Sequence, residues 1–374
     1  MDNENKNDKC QISVIFLTYW IIVILAKVIR YTILKESLVD MGIGNGWLVR
    51  LSKGMNMFVF GFGKSSVASE NSIAIFQIFR NIGIKSYVEY EIIITLIWNM
   101  IFFGIIMSLK EEISIFQMIF LMMSVAVLNI WDFCLAKEPL QMLYFVAIYC
   151  ILVSKKIPEK FKYGLTLFVI LLSYFTYRNY FILIIPFSIA SYFLIGKFLL
   201  KKSRISKMDL FTIVLIFAFI YMVIIMYSKH FNKEAYECFS YFNQRETMAK
   251  TDLSSFFHSE NYFIMSVDYI LLVFRMLFPV ELIKYGPQYI LYVIYQIMIS
   301  IVLIRALLKI KTNEKIKMYS LFIYFGFLFA SATFEPDFGS WIRHEAVTIP
   351  VILIMGDFFK NKKNIVESRK NTYE

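Results

Sequence analysis

The chain is short of the residues that carry most soluble catalysis. Of its 374 residues only 3 are histidine and 4 are cysteine. The cysteines, Cys10, Cys134, Cys150 and Cys238, show no metal-ligand spacing, and two lie in or beside apolar stretches where a thiol behaves as a small hydrophobe. There is no Gly-rich phosphate loop, no GxGxxG and no HExxH, so the usual signatures of ATP-driven, dinucleotide-dependent and zinc-dependent chemistry are missing. An Asp-x-Asp pair is also absent, which argues against transferases that hold a nucleotide sugar through a divalent metal. No cofactor and no metal site are expected. Two further absences bear on the fold. No polar stretch is long enough for a separate soluble domain, and the period-two alternation of an outer-membrane barrel does not occur.

What fills the chain instead is apolar. Hydrophobic residues make up 59% and the mean hydropathy is +0.62, well above a soluble domain. Whole windows lack a polar face, as in "LFTIVLIFAFIYMVIIMY" from Leu210 to Tyr227. Backbone groups in lipid must be satisfied within the segment, so these windows read as spanning helices. The expected fold is therefore all-α: a polytopic helical membrane protein, with residues 1–374 forming a single transmembrane domain. The polar start "MDNENKNDKC" precedes an apolar run too long for a signal-peptide core and without a small-residue cleavage site, which reads as a retained first span.

Apolar runs place spans near 11–34, 88–108, 113–131, 139–154, 163–177, 180–199, 209–228, 288–304, 318–334 and 345–359, with a further run at 262–283. The Lys/Arg clusters "KKIPEKFK" (155–162), "KFLLKKSRISK" (197–207), "RALLKIKTNEKIK" (305–317) and "KNKKNIVESRK" near the C-terminus should all be cytoplasmic. They account for most of the net charge of +11 through anchoring against anionic membrane lipid, so nucleic acid is not an expected partner. If 262–283 crossed fully, 305–317 would fall outside. That run, which carries Asp268, Arg275 and Glu281, is therefore expected as a re-entrant or interfacial helix on the outer face. The count is then ten spans, or eleven if the run does cross, in a plasma-membrane protein with both termini cytoplasmic and outer loops near 35–87 and 229–261.

With this topology the polar interruptions gather at the outer ends of helices. Lys137 and Glu138 precede Pro139, a pattern that also fits a simple helix start. Arg178 sits in a hairpin between Tyr174, Tyr177 and Tyr180, where it is either a ligand-binding cation or an interfacial anchor. Asp268 and Arg275 lie seven apart on one helix face, which suits an ion pair or a ligand contact. The densest cluster is "TFEPDFGSWIRHEAVTIP" (333–350), holding Asp337, Arg343, His344 and Glu345. His344 lies between a cation and a carboxylate that can shift an imidazole across neutrality. An outward pocket of Arg with carboxylates and tyrosines matches phosphate oxygens beside sugar hydroxyls, the chemistry of a lipid-linked diphosphate glycan.

The segments "LAKEPLQMLYF", "YFTYRNYFILII", "FRMLFPVELIKYGPQY" and "FGSWIRHEAVTIPVILI", in that order on a chain of about ten spans, resemble the bacterial Wzy-type repeat-unit polymerases of capsule, exopolysaccharide and O-antigen. The resemblance implies a membrane glycosyltransferase that polymerises polyprenyl-diphosphate-linked oligosaccharide on the outer leaflet, working beside a flippase and a chain-length regulator. On that reading Arg275, Arg343 and Arg178 stabilise the departing diphosphate, and Glu345, His344 or Glu138 assists the attacking hydroxyl. Lys137, Tyr177, Tyr180, Glu281 and Asp337 then contact the substrate. Two other classes compete. A polyprenyl-phosphate-sugar transferase would use acidic residues of the first outer loop, where Glu36, Asp40 and Glu70 stand. A lipid-linked oligosaccharide flippase would carry its charges along a path through the bilayer, so charge at mid-span separates it from an enzyme. An assembly subunit is the plain alternative to all three.

Overall fold

The computed structural model describes residues 2–32, 51, 58–60, 67–109, 114–199, 207–231, 236–237, 239–240, 251–286, 289–309, 314–334, 337–356 and 358. Among these the regular elements are all helical, and the only β feature is one isolated bridge between Asp252 and Asp337. In chain order the α-helices are α1 (Asp2–Thr32), α2 (Val67–Asn81), α3 (Tyr87–Met107), α4 (Ile115–Val127), α5 (Glu138–Val153), α6 (Glu159–Thr176), α7 (Ile184–Ser191), α8 (Lys207–Phe231), α9 (Tyr262–Leu277), α10 (Ile290–Lys309), α11 (Lys315–Phe334), α12 (Phe338–Ala346) and α13 (Ile349–Met355). A π-helical turn extends α4 to Asp132, and a 3-10 turn and a π stretch flank α7.

Seven segments are long and apolar enough to cross a membrane: Val14–Thr32, Tyr87–Met107, Ile115–Asp132, Asn179–Gly196, Phe211–His230, Ile290–Lys309 and Lys315–Phe334. The chain is thus a helical membrane protein. Three of the ten expected spans fall outside this set, each for a visible reason. Helix α5 has 16 residues. Helix α6 carries Glu159, Lys160 and Lys162 in its first turn. Where the last span is expected, at 345–359, the chain forms two short helices, α12 and α13, in place of one long one.

Capping boxes start α3 at Ser86/Glu89 and α4 at Ser114/Gln117, where each side chain satisfies a backbone N–H left open by the helix start. The innermost element is α11, which packs along α7. Gly326 is the point of closest approach, since a Cβ there would stand 2.5 Å from Ile184 O. Tyr163 at the start of α6 stacks on Tyr319 at the start of α11 (4.9 Å) and on Tyr192 past the end of α7 (5.6 Å). The basic hairpin 155–162 and the basic start of α11 therefore share one end of the bundle, as the charge pattern requires.

Helix α9 runs antiparallel to α8, with Lys229 over the Tyr262 ring at 5.1 Å and Tyr221 stacked on Tyr269 at 5.2 Å. At its C-terminal end Ser300 Oγ donates to Leu277 O. Ser300 lies ten residues into α10, about 15 Å from the start of that helix. The chain from Phe278 must then run back along α10 to reach Ile290, through a break at Pro279 and a 3-10 turn at Val280–Tyr285. With 16 residues, α9 is about 24 Å long. Within the expected 35–87 loop the described part is largely α2, tied down by Asn71, which donates to Thr176 O at 2.7 Å and accepts from Val59 N. Glu36 and Asp40 lie outside the described residues.

Candidate functional site

Helix α12 is built to start sharply and stop early. Asp337 caps it, accepting from the N–H groups of Gly339 and Ser340, while Phe338 N donates to Thr251 O. It stops at Val347. Thr348 Oγ1 donates to Glu345 O at 2.7 Å, and Pro350 occupies the first turn of α13, where its missing N–H costs nothing. Broken helices at bilayer depth are tolerated where they are buried in protein or line a cavity.

Consecutive helical residues point about 100° apart, so Arg343, His344 and Glu345 face three different neighbours. His344 turns to α5 and to the loop after α6. Gln141 Nε2 donates to His344 O at 3.1 Å, which leaves Gln141 Oε1 to accept from His344 Nδ1 (2.7 Å) and from Tyr177 Oη (3.0 Å). The proton of the imidazole is thereby placed on Nδ1. Nε2 is the acceptor, and Arg178 Nη2, which can only donate, meets it at 3.0 Å. His344 is held neutral by this geometry, with its lone pair directed at a guanidinium. Arg178 also donates to Tyr180 Oη at 3.1 Å and lies against the Tyr177 and Tyr180 rings at 5.6 and 5.5 Å.

Arg343 faces the start of α5. Its Nη1 is 3.7 Å from Glu138 Oε1, too long for a hydrogen bond, and Nε reaches Gly339 O at 3.4 Å. Glu138 is buried and its Oε1 has no hydrogen-bond donor. Lys137 supplies the carbonyl that starts α5, accepting from Leu140 N and Gln141 N. Glu345 turns inward to α10 and α11: Oε1 accepts from Gln296 Nε2 at 3.0 Å and from Tyr324 Oη, while Oε2 has no partner.

Of the residues expected from sequence, Arg178, Tyr177, Tyr180, Glu138, Lys137, Arg343 and His344 meet at one end of the bundle, opposite the stacked tyrosines of the basic end. Asp337 belongs to the same segment as its helix cap. Arg275 and Glu281 are elsewhere and bind each other: Nε and Nη2 of Arg275 reach the two Glu281 oxygens at 2.8 and 3.1 Å, Nη1 donates to Ser254 O at 2.7 Å, and the guanidinium covers the Phe256 ring. Asp268 and Arg275, whose spacing suits an ion pair or a ligand contact, do not pair with each other. Asp268 instead accepts from Ser255 Oγ and from the N–H groups of Phe256 and Phe257.

Several residues of this end have no counterpart in the sequence reading. Gln141 is the hub of the His344 network; the sequence marks its segment but does not single out the residue itself. Lys27 and Arg30 of α1 pair with Glu91 of α3 at 3.0 and 2.9 Å, and donate to Phe133 O and Ile130 O. Charges inside apolar spans were the available signal for these three. Asp132, at the end of the π turn, is fully buried. Below them Tyr19, Asn99 and Asn129 continue the polar chain. Among the described residues, no group of three or more His, Cys, Asp or Glu is placed to hold a metal ion. No family model, no curated protein and no solved structure matches the chain.

Proposed function

We propose that the chain is a membrane glycosyltransferase that polymerises polyprenyl-diphosphate-linked oligosaccharide repeat units on the outer leaflet of the plasma membrane. The observation that carries this reading is the meeting of Arg178, Arg343, Glu138 and His344 at the end of the bundle opposite the basic hairpins. By the positive-inside bias that end faces out. Ten crossings and two cytoplasmic termini follow if α5, α6 and the α12–α13 pair cross together with the seven long segments while α9 enters and returns. The return path forced by the Ser300 contact to Leu277 supports that assignment.

In this reading the sugar hydroxyl of an incoming lipid-linked repeat attacks the anomeric carbon of the growing chain, and polyprenyl diphosphate departs. Fixed donors aimed at the developing phosphate charge do most to lower the barrier. Arg343 fits that task, because its nearest carboxylate is beyond hydrogen-bonding range. Arg178 is held through His344. With its Nε2 directed at Arg178, His344 acts as a positioning residue, which leaves the proton to a carboxylate. Membrane lipid, the flippase that delivers the repeat and a chain-length regulator are the partners implied.

Charge depth favours an enzyme over a flippase. Lys27, Arg30, Glu91, Asp132, Glu138, Arg178 and Arg343 sit within two turns or so of helix ends. Glu345 is the exception, opposite Tyr324 halfway along α11. The test is a reaction of purified protein with defined lipid-linked repeat units. A ladder of longer lipid-linked chains is expected, whereas movement of the lipid across a vesicle wall without new linkage would overturn the reading. Labelling of single cysteines in intact cells checks orientation: Glu260→Cys should react from outside and Lys156→Cys should not.

A further inference from the structure

Asp132 is fully buried at the end of the π turn after α4, yet neither carboxylate oxygen has a hydrogen-bond partner. A buried carboxyl loses its water, so folds normally surround it with donors. This chain does so elsewhere. Asp268 accepts from a hydroxyl and two backbone N–H groups, and Asp337 caps α12. Asp132 has no such shell.

The groups that act electrostatically on Asp132 include Glu138 from α5, Arg343 from α12, Lys27 and Arg30 from α1, and Tyr295 from α10. The two α1 cations are held by Glu91 and by backbone carbonyls. Arg343 stands 3.7 Å from Glu138, whose Oε1 is itself without a donor. Three carboxylate oxygens, from two acidic side chains on two different elements, are thus buried without a hydrogen-bond partner. A ligand that complements them brings hydroxyl groups, and one that also reaches Arg343 brings an anion. The Arg343 side chain is the accessible member, 19% exposed against 1% for Glu138.

We infer that Asp132 accepts the proton of the attacking sugar hydroxyl, with Glu138 as the second acceptor that orients the same sugar. This rests on the polymerase reading and names its base. In the step, the hydroxyl oxygen forms a bond to the anomeric carbon as the bond from that carbon to the diphosphate oxygen breaks. The bonding pair leaves with polyprenyl diphosphate, whose new charge meets Arg343. The hydroxyl proton passes to an Asp132 oxygen and from there to solvent.

The test uses the purified full chain and defined lipid-linked repeat units. Asp132→Asn keeps size and shape but cannot accept the proton; it should slow chain extension by about 10²-fold or more, with binding of the lipid-linked donor and the melting temperature close to wild type. Asp132→Glu should recover part of the rate. The wild-type rate should fall as the pH is lowered and the carboxylate is protonated. Extension by Asp132→Asn within roughly twofold of wild type would overturn the inference while leaving the polymerase reading intact. A wild-type rate that stays flat into the acid range would overturn it as well, and that measurement needs no variant to fold. If wild type makes no ladder at all, the polymerase reading itself has failed and takes the inference with it.

Discussion

Helices α9 and α12 invite comparison. Each is short and ends at a break near a proline, and each carries an arginine that the sequence marks as a site residue. Their charges are treated in opposite ways. Arg275 on α9 spends its guanidinium on both oxygens of Glu281, on Ser254 O and on the Phe256 ring, all within one stretch of chain. Arg343 on α12 has a buried carboxylate beside it at 3.7 Å and no closer ion pair among the described residues. A bidentate pair of the first kind fixes a loop and holds the guanidinium to partners within its own chain segment. An arginine kept near acceptors but out of hydrogen-bonding contact is pre-arranged for something that arrives later. What separates a structural charge from a working one is how fully it is satisfied, and sequence spacing does not report that.

The sharpest way to break the comparison is to remove each arginine in turn. Arg343→Ala should cost about 10²–10³-fold in chain extension, the usual loss of a transition-state donor, at a melting temperature close to wild type. Arg275→Ala should extend chains within a few fold of wild type but melt lower, because Glu281 and Ser254 O lose their donor. The contrast collapses if Arg275→Ala removes the ladder at an unchanged melting temperature.

Next in size is Gln141→Leu. It leaves Tyr177 Oη, His344 Nδ1 and His344 O without their partner, at about 1–3 kcal/mol for each buried group that finds no other. Unfolding in detergent micelles should show the loss, and extension should slow because Arg178 is no longer held through His344. An unchanged midpoint would mean that the hub is not a hub.

Asp337→Ala removes the cap of α12 and should cost about 1 kcal/mol, with a modest fall in rate as the first turn frays. The smallest effect is expected from Ser300→Ala. It deletes one hydrogen bond to Leu277 O, worth about 0.5–1.5 kcal/mol, and should leave extension unchanged. A large loss of extension in that variant would tie α9 to catalysis and narrow the gap between the two helices.

Much of this architecture is legible in the sequence because the bilayer leaves so few choices. Apolar length and Lys/Arg bias suffice to find the long helices, and the stacking of Tyr163, Tyr192 and Tyr319 agrees with the end that the bias selects. Composition fails where a helix is interrupted. A span is expected at 345–359, but Asp337 caps a helix that begins earlier and Thr348 with Pro350 ends it, so two short helices stand in place of one long apolar helix. At the site, proximity along the chain is a poor guide. Asp268 and Arg275 share a helix face without pairing, whereas Gln141 and His344, 203 positions apart, share two hydrogen bonds. A buried orphan such as Asp132 is invisible in sequence, since being unpaired is a property of everything around it.

The proposed topology, in which α9 enters and returns, has a consequence for how the chain tolerates rearrangement. An element that enters and leaves by the same face contributes no parity: losing it, shortening it or copying it leaves every downstream segment facing the way it faced before. A true crossing has no such freedom, since its loss inverts all that follows. On the proposed topology the stretch from Tyr262 to Tyr285 is therefore a place where such a protein can be remodelled without turning the segments after it inside out.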